Sequence, residues 1–98
     1  MKEFDSNEAG PFQTAVGDEF GVLVPTYGEA SLSGLQGVDF LGQSEKPSDG
    51  RCGAPKNVVF KFKARQPEME IGIDIGGTNY ETNMAMEPEH RVVKVKAR

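Results

Sequence analysis

An all-β sandwich is the fold this sequence predicts, and three observations predict it. The later segments alternate apolar and polar residues with a two-residue beat. Clusters of Gly, Pro, Asn and Ser separate those segments. No window carries an apolar i, i+3, i+4, i+7 stripe over three helical turns. Composition agrees. The 98 residues hold 12 Gly and 6 Pro but no Trp, a balance that suits a loop-rich β domain with a modest core. The length fits one domain over 1–98 and excludes a large catalytic fold such as an α/β barrel or a complete nucleotide-binding kinase.

The elements follow in order along the chain. Residues 1–11 are polar and end in Gly10-Pro11, which suits a flexible arm or a short edge strand. Phe12, Thr14 and Val16 alternate, and Val16-Gly17-Asp18 reads as a turn. Phe20, Val22 and Val24 give a second strand that is expected to stop at Pro25. Residues 25–37 read as a loop with a short strand near 32–35; a helical turn over 29–36 is the alternative, and Gly34 opposes it. Residues 38–41 read as a brief strand. Residues 42–57 are the longest turn-rich run, the kind of stretch that carries function in a small domain.

The clearest strand is 57–64, with Phe60, Phe62 and Ala64 facing one way and Lys61 and Lys63 the other. Met69, Ile71, Ile73 and Ile75 repeat the beat, with Glu70, Gly72 and Asp74 opposite. Residues 76–88 read as a polar loop. The last strand is 91–97, with Val93, Val95 and Ala97 inward and Lys94 and Lys96 outward. The expected core is Phe12, Val16, Phe20, Val22, Val24, Leu32, Phe40, Phe60, Phe62, Met69, Ile71, Ile73, Ile75, Val93 and Val95. Should the strands of Lys61, Lys63, Lys94 and Lys96 be neighbours, one sheet face is basic. Glu68 and Glu70 would match Lys61 or Lys63 across strands if their strand pairs with the preceding one.

Charge and cysteine usage narrow the function classes. Eleven basic against 15 acidic residues give a net −4, which argues against nucleic acid as a partner. The apolar runs are too short to span a bilayer as helices, and the start MKEFDSNEAG has no apolar run of signal-peptide length. Compartment is left open. The lone Cys52 excludes an internal disulfide and a zinc site built on several thiolates. Cys52 beside Arg51 could pair with the sole histidine, His90, as nucleophile and base, or be a thiol without a role. His90 with Glu87 and Glu89 lacks a further metal ligand in sequence, so no metal and no cofactor are expected.

Two stretches carry motifs. Residues 71–79, Ile-Gly-Ile-Asp-Ile-Gly-Gly-Thr-Asn, resemble the first phosphate segment of actin-like sugar kinases. There an Asp faces magnesium and a Gly-Gly-Thr turn lets backbone N–H groups approach phosphate. Asp74, Gly76, Gly77 and Thr78 are the matching positions. The other reading of the same residues is a tight turn between strands.

The second set runs along the whole chain. Val16-Gly17-Asp18-Glu19-Phe20 leads into a strand that ends in Val24-Pro25-Thr26-Tyr27-Gly28. Gly50-Arg51-Cys52-Gly53-Ala54 precedes the strand at 57–64. Gly76-Gly77-Thr78-Asn79-Tyr80 follows the next strand, and Val93-Lys94-Val95-Lys96-Ala97 closes the chain. This order resembles the chagasin family of immunoglobulin-like inhibitors of papain-type cysteine proteases. Val24 and Tyr27 stand where that family's first motif has Asn and Thr. The third loop lacks the family's Arg and Trp.

The resemblance implies an immunoglobulin-like β-sandwich of six to seven antiparallel strands and no enzymatic activity. It implies reversible inhibition of a papain-like cysteine protease by a monomer through three loops. The loops are Pro25, Thr26, Tyr27 and Gly28; Arg51, Cys52 and Gly53; and Gly76, Gly77, Thr78, Asn79 and Tyr80, with Thr26 over the catalytic thiolate. The alternatives are a phosphate- or nucleotide-binding module related to actin-like kinases, and a non-inhibitory immunoglobulin-like domain that binds another protein or a sugar.

Overall fold

The two-residue beat does what a half-buried strand requires. It sends Phe20, Val22 and Val24, then Phe60, Phe62 and Ala64, then Met69, Ile71 and Ile73, and finally Val93 and Val95 into one shared interior. A computed structural model describes residues 1–8, 10–26, 28–46, 56–79, 84–85 and 88–98. Its strands are β1 (Lys2–Asp5), β2 (Phe12–Thr14), β3 (Glu19–Thr26), β4 (Gly28–Gln36), β5 (Val38–Lys46), β6 (Lys56–Ala64), β7 (Glu68–Asn79), β8 (Met84–Ala85) and β9 (Glu89–Ala97). The described residues contain no helix.

One sheet, A, has the order β1-β3-β6-β5. The other, B, has the order β2-β9-β7-β4, with β8 pairing β7. The immunoglobulin-like sandwich expected from sequence is therefore present. Its six long strands, β3 to β7 and β9, pair antiparallel. Short β1 and β2 add parallel pairings to β3 and β9 on the sheet edges.

Phe20, Phe62 and Ile71 are fully excluded from solvent, each worth roughly 1.5–3 kcal/mol of apolar burial. Phe4 stacks on Phe12 at 4.8 Å and leans on Phe20 at 5.6 Å, so the N-terminal arm is an edge strand with an aromatic anchor. Val58, Val59 and Ala64 join the buried set that the sequence reading left out. Of the expected core residues, Phe12, Leu32 and Ile75 are only partly buried and pack against it, and Val16 and Phe40 are exposed. Val16 is 47% exposed because it sits in the turn before β3, where Gly17 N donates to Ala64 O at 2.8 Å. Phe40 is 44% exposed because β5 borders sheet A, although its ring still lies 5.8 Å from that of Phe62.

Several boundaries differ from expectation for identifiable reasons. Strand β3 runs through Pro25 instead of stopping there. Ser6 N donates to Leu23 O, so Leu23 turns its polar groups toward β1, and Pro25 shares that side two residues on. Pairing with β1 ends at Leu23, so the missing N–H of Pro25 costs no ladder bond. Residues 28–36 are a full strand, not a loop, because β7 supplies a partner along their length. Gly37 then turns the chain into sheet A at φ 75°, and a Cβ there would meet Glu68 O at 2.6 Å. Strand β5 likewise extends to Lys46, and β7 continues through 76–79, which had read as loop.

The lysines do not share a face: Lys61 and Lys63 belong to sheet A, Lys94 and Lys96 to sheet B. Glu68 and Glu70 are opposite Lys96 and Lys94, with Lys94 Nζ 3.9 Å from Glu70 Oε1.

Burial sets the expected ranking of two aromatic truncations. Phe62→Ala should lower unfolding free energy by about 3–5 kcal/mol, and Phe40→Ala by clearly less. Urea unfolding followed by circular dichroism checks both; equal losses would contradict the packing described.

Candidate functional site

Strand register decides which connections share an end. Thr26, the last residue of β3, pairs Lys56, the first of β6. Lys46, the last of β5, pairs Asn57. Gly28, the first of β4, pairs Gly77 of β7. The chain therefore leaves the sandwich at one end in three places: after Thr26, after Lys46 and along β7 beyond Gly77. Tyr27, Tyr80 and the segment 47–55 with Arg51, Cys52 and Gly53 lie outside the described residues. So does any pairing of Cys52 with His90.

Thr26 organises this end. It is 1% exposed. Its Oγ1 lies 2.6 Å from Glu29 O and 3.0 Å from Gly76 O, and it accepts from Gly28 N at 3.2 Å. A hydroxyl has one proton, so the two carbonyls share it, while its lone pairs serve the amide. One side chain thus ties β3 of sheet A to the start of β4 and to β7 of sheet B. The resemblance implies a place for this hydroxyl over a partner's thiolate; in the chain alone it faces Glu29 O and Gly76 O.

Beyond that lock, the cross-strand pair is Gly28 and Gly77, with φ of 134° and 127°. L side chains rarely adopt that conformation, so the level carries bare backbone by necessity. Pro25 sits beneath it, half-buried, on the outer side of β3.

The β1–β9 side of the same end is fastened by Arg91. Its Nη1 donates to Ser6 Oγ at 2.9 Å and to Asn7 Oδ1 at 2.8 Å, and its Nε donates to Glu89 Oε2 at 2.7 Å. Ser6 follows β1 in sheet A, and Arg91 belongs to β9 in sheet B, so this clasp also spans the two layers. Sequence reasoning assigns Arg91 no role. Its odd-numbered position beside Val93 and Val95 was the available signal that it points between the sheets.

The phosphate-loop reading of 71–79 does not survive the geometry. These residues are one continuous strand, antiparallel to β4 and β9. Gly76 and Gly77 are ladder partners of Glu29 and Gly28, not a turn. Asp74 lies on the solvent face, where its Oδ1 is 2.7 Å from His90 Nδ1. Thr78 and Asn79 extend β7 and pair Ala85 and Met84 of β8. Among the described residues, no three His, Cys, Asp or Glu side chains gather in a way that could hold a metal ion.

No family model matches the chain, and no curated protein matches it. Among solved structures it is similar to the solution structure of amebosin, with a TM-score of 0.66 over 99% of this chain and 97% of that one. Sequence identity is 12%, so the likeness is one of fold.

The Thr26 lock has a measurable signature. Thr26→Val keeps the shape but leaves Gly28 N–H and two carbonyls without their partner, an expected loss of about 1–3 kcal/mol. Hydrogen exchange at the Gly28 amide should accelerate in Thr26→Val and stay slow in Thr26→Ser.

Proposed function

We propose that this chain is a reversible inhibitor of papain-like cysteine proteases and docks one end of its sandwich into the enzyme's cleft. The observation that carries the reading is the convergence just described. The three motif-bearing connections, which are far apart in sequence, are flanked by strand ends that share one end of the fold. The likeness in fold to amebosin is compatible with it.

Physical chemistry supplies the rest. A concave cleft is filled by a convex wedge, and a wedge already fixed in shape loses little entropy on docking. The bonds of Thr26 and the clasp of Arg91 hold this end together before any partner arrives. Bare backbone at Gly28 and Gly77 permits close approach to a cleft wall. In this reading Pro25, Tyr27 and Gly28 form the central contact, with Thr26 as the residue that positions them. Arg51, Cys52 and Gly53 flank it on one side, and Gly76, Gly77, Thr78, Asn79 and Tyr80 on the other. Tyr27 and Tyr80 are the amphipathic anchors, a residue type that concentrates binding energy at interfaces.

Titration against a small panel of papain-like proteases tests the proposal. Turnover of at least one enzyme should fall at stoichiometric amounts of the protein and recover on dilution. Tyr27→Ala and Tyr80→Ala should each weaken inhibition by about ten-fold or more, which is roughly 1.4 kcal/mol, with thermal stability unchanged. Full turnover of every protease at excess protein would instead favour a non-inhibitory protein- or sugar-binding domain.

A further inference from the structure

We propose that β3 carries a second interface, an edge that pairs with β3 of another copy of this chain and that β1 keeps closed. It does not depend on protease inhibition. The argument begins in the sequence of β3, Glu-Phe-Gly-Val-Leu-Val-Pro-Thr, where Phe20 to Val24 carry no charge. An uncharged run with aromatic and β-branched residues is what one strand edge offers another. Glu19 and Pro25 stand at its two ends, one a charge and the other a residue without an N–H.

Register supplies the second requirement. Strand β3 pairs β6 from Glu19 to Thr26 without a slip, so its other edge is even over the same length. Strands β4 and β5 each slip once. Native proteins cover or charge an edge that is long, even and apolar, and here the cover is β1. It lies parallel to β3, from Lys2 beside Phe20 to Asp5 beside Leu23. Lys2, Glu3 and Asp5 are thereby laid along a stretch of β3 that has no charge of its own.

The cover is slight. Four residues pair, and they pair in the parallel sense, which is the weaker per residue. Lys2 and Glu3 are exposed. The fastenings are Ser6 N on Leu23 O at 2.9 Å, the stack of Phe4 on Phe12 at 4.8 Å, and the bonds of Arg91 to Ser6 and Asn7. A short edge element held by so few contacts opens before the rest of a fold.

Once β1 lifts, Leu23 turns its N–H and C=O to solvent, and so does Gly21, two residues back on the same side. A second copy in the same state pairs with them antiparallel about a two-fold axis at Val22. Gly21 of one copy then stands opposite Leu23 of the other, and Glu19 opposite Pro25, where the ladder stops. The order β3-β6-β5 of one sheet continues into the same order of its copy. Both edges are used up in this contact, so the product is a closed dimer.

Hydrogen exchange on the wild-type chain and light scattering on variants test the proposal. The Ser6 amide should exchange at least about ten-fold faster than the amides of β6, since β1 opens by itself. Phe4→Asp removes the stack on Phe12. Its mass should climb toward twice that of the monomer as concentration rises, with circular dichroism still that of a folded sheet. Excess peptide Met-Lys-Glu-Phe-Asp-Ser-Asn-Glu should return it to the monomer, and so should Leu23→Lys added to the same chain, which puts a charge inside the run. Phe4→Leu carries the same test at smaller amplitude if Phe4→Asp fails to fold. A Ser6 amide as slow as those of β6, folded variants that stay monomeric at every concentration, or a dimer that survives Leu23→Lys would overturn the proposal.

Discussion

The structure depends on the meeting of two inner faces, those of β6 and β7. Each strand turns only alternate residues toward the facing sheet, so a pair of sheets closes only if both place their apolar set on that side. Here Phe60, Phe62 and Ala64 meet Met69, Ile71 and Ile73, and β3 and β9 extend the same layer outward. A one-residue slip in either strand would expose the whole set and bury Lys61, Lys63, Glu70 and Asp74 in its place. That cost fixes register in the middle of the molecule, and register in the middle fixes which strand ends share an end of the sandwich.

The end itself is held by polar chemistry, since the apolar interior has thinned out there. Thr26 bonds three backbone groups from two strands, and Arg91 bonds the turn after β1. Both connect sheet A to sheet B. Buried and partly buried hydrogen bonds of this kind specify geometry more than they add stability, because each replaces bonds to water. The outcome is that the described strand ends are tied across both sheets, with bare glycine backbone at Gly28 and Gly77.

How much of this was legible in the sequence varies by mechanism. Strands whose residues alternate, such as β6 and β7, could be read directly, because burial itself writes the pattern. Strand β4 could not. Gly-Glu-Ala-Ser-Leu-Ser-Gly-Leu-Gln has the residues of a loop and becomes a strand only because β7 offers it a ladder. Pro25 misled for a similar reason, since its harmlessness depends on β1 having ended two residues earlier. The structural bond of Thr26 is not legible locally, because its partner Gly76 O lies fifty residues away. The Asp74–His90 pairing was invisible on the same grounds, being a matter of which strand neighbours which.

The irregularities at Ser33 and Leu41 have a consequence for how molecules of this protein meet. Strands β4 and β5 are the two long borders of the sandwich, and each carries one surplus residue near its middle. A neighbouring chain laid along either border could keep step for only three to five residues before its amides and carbonyls fell out of phase. The remaining borders, β1 and β2, are four and three residues long. Straight, even, long borders are the ones that template stacked ribbons, and none of these four is both long and even.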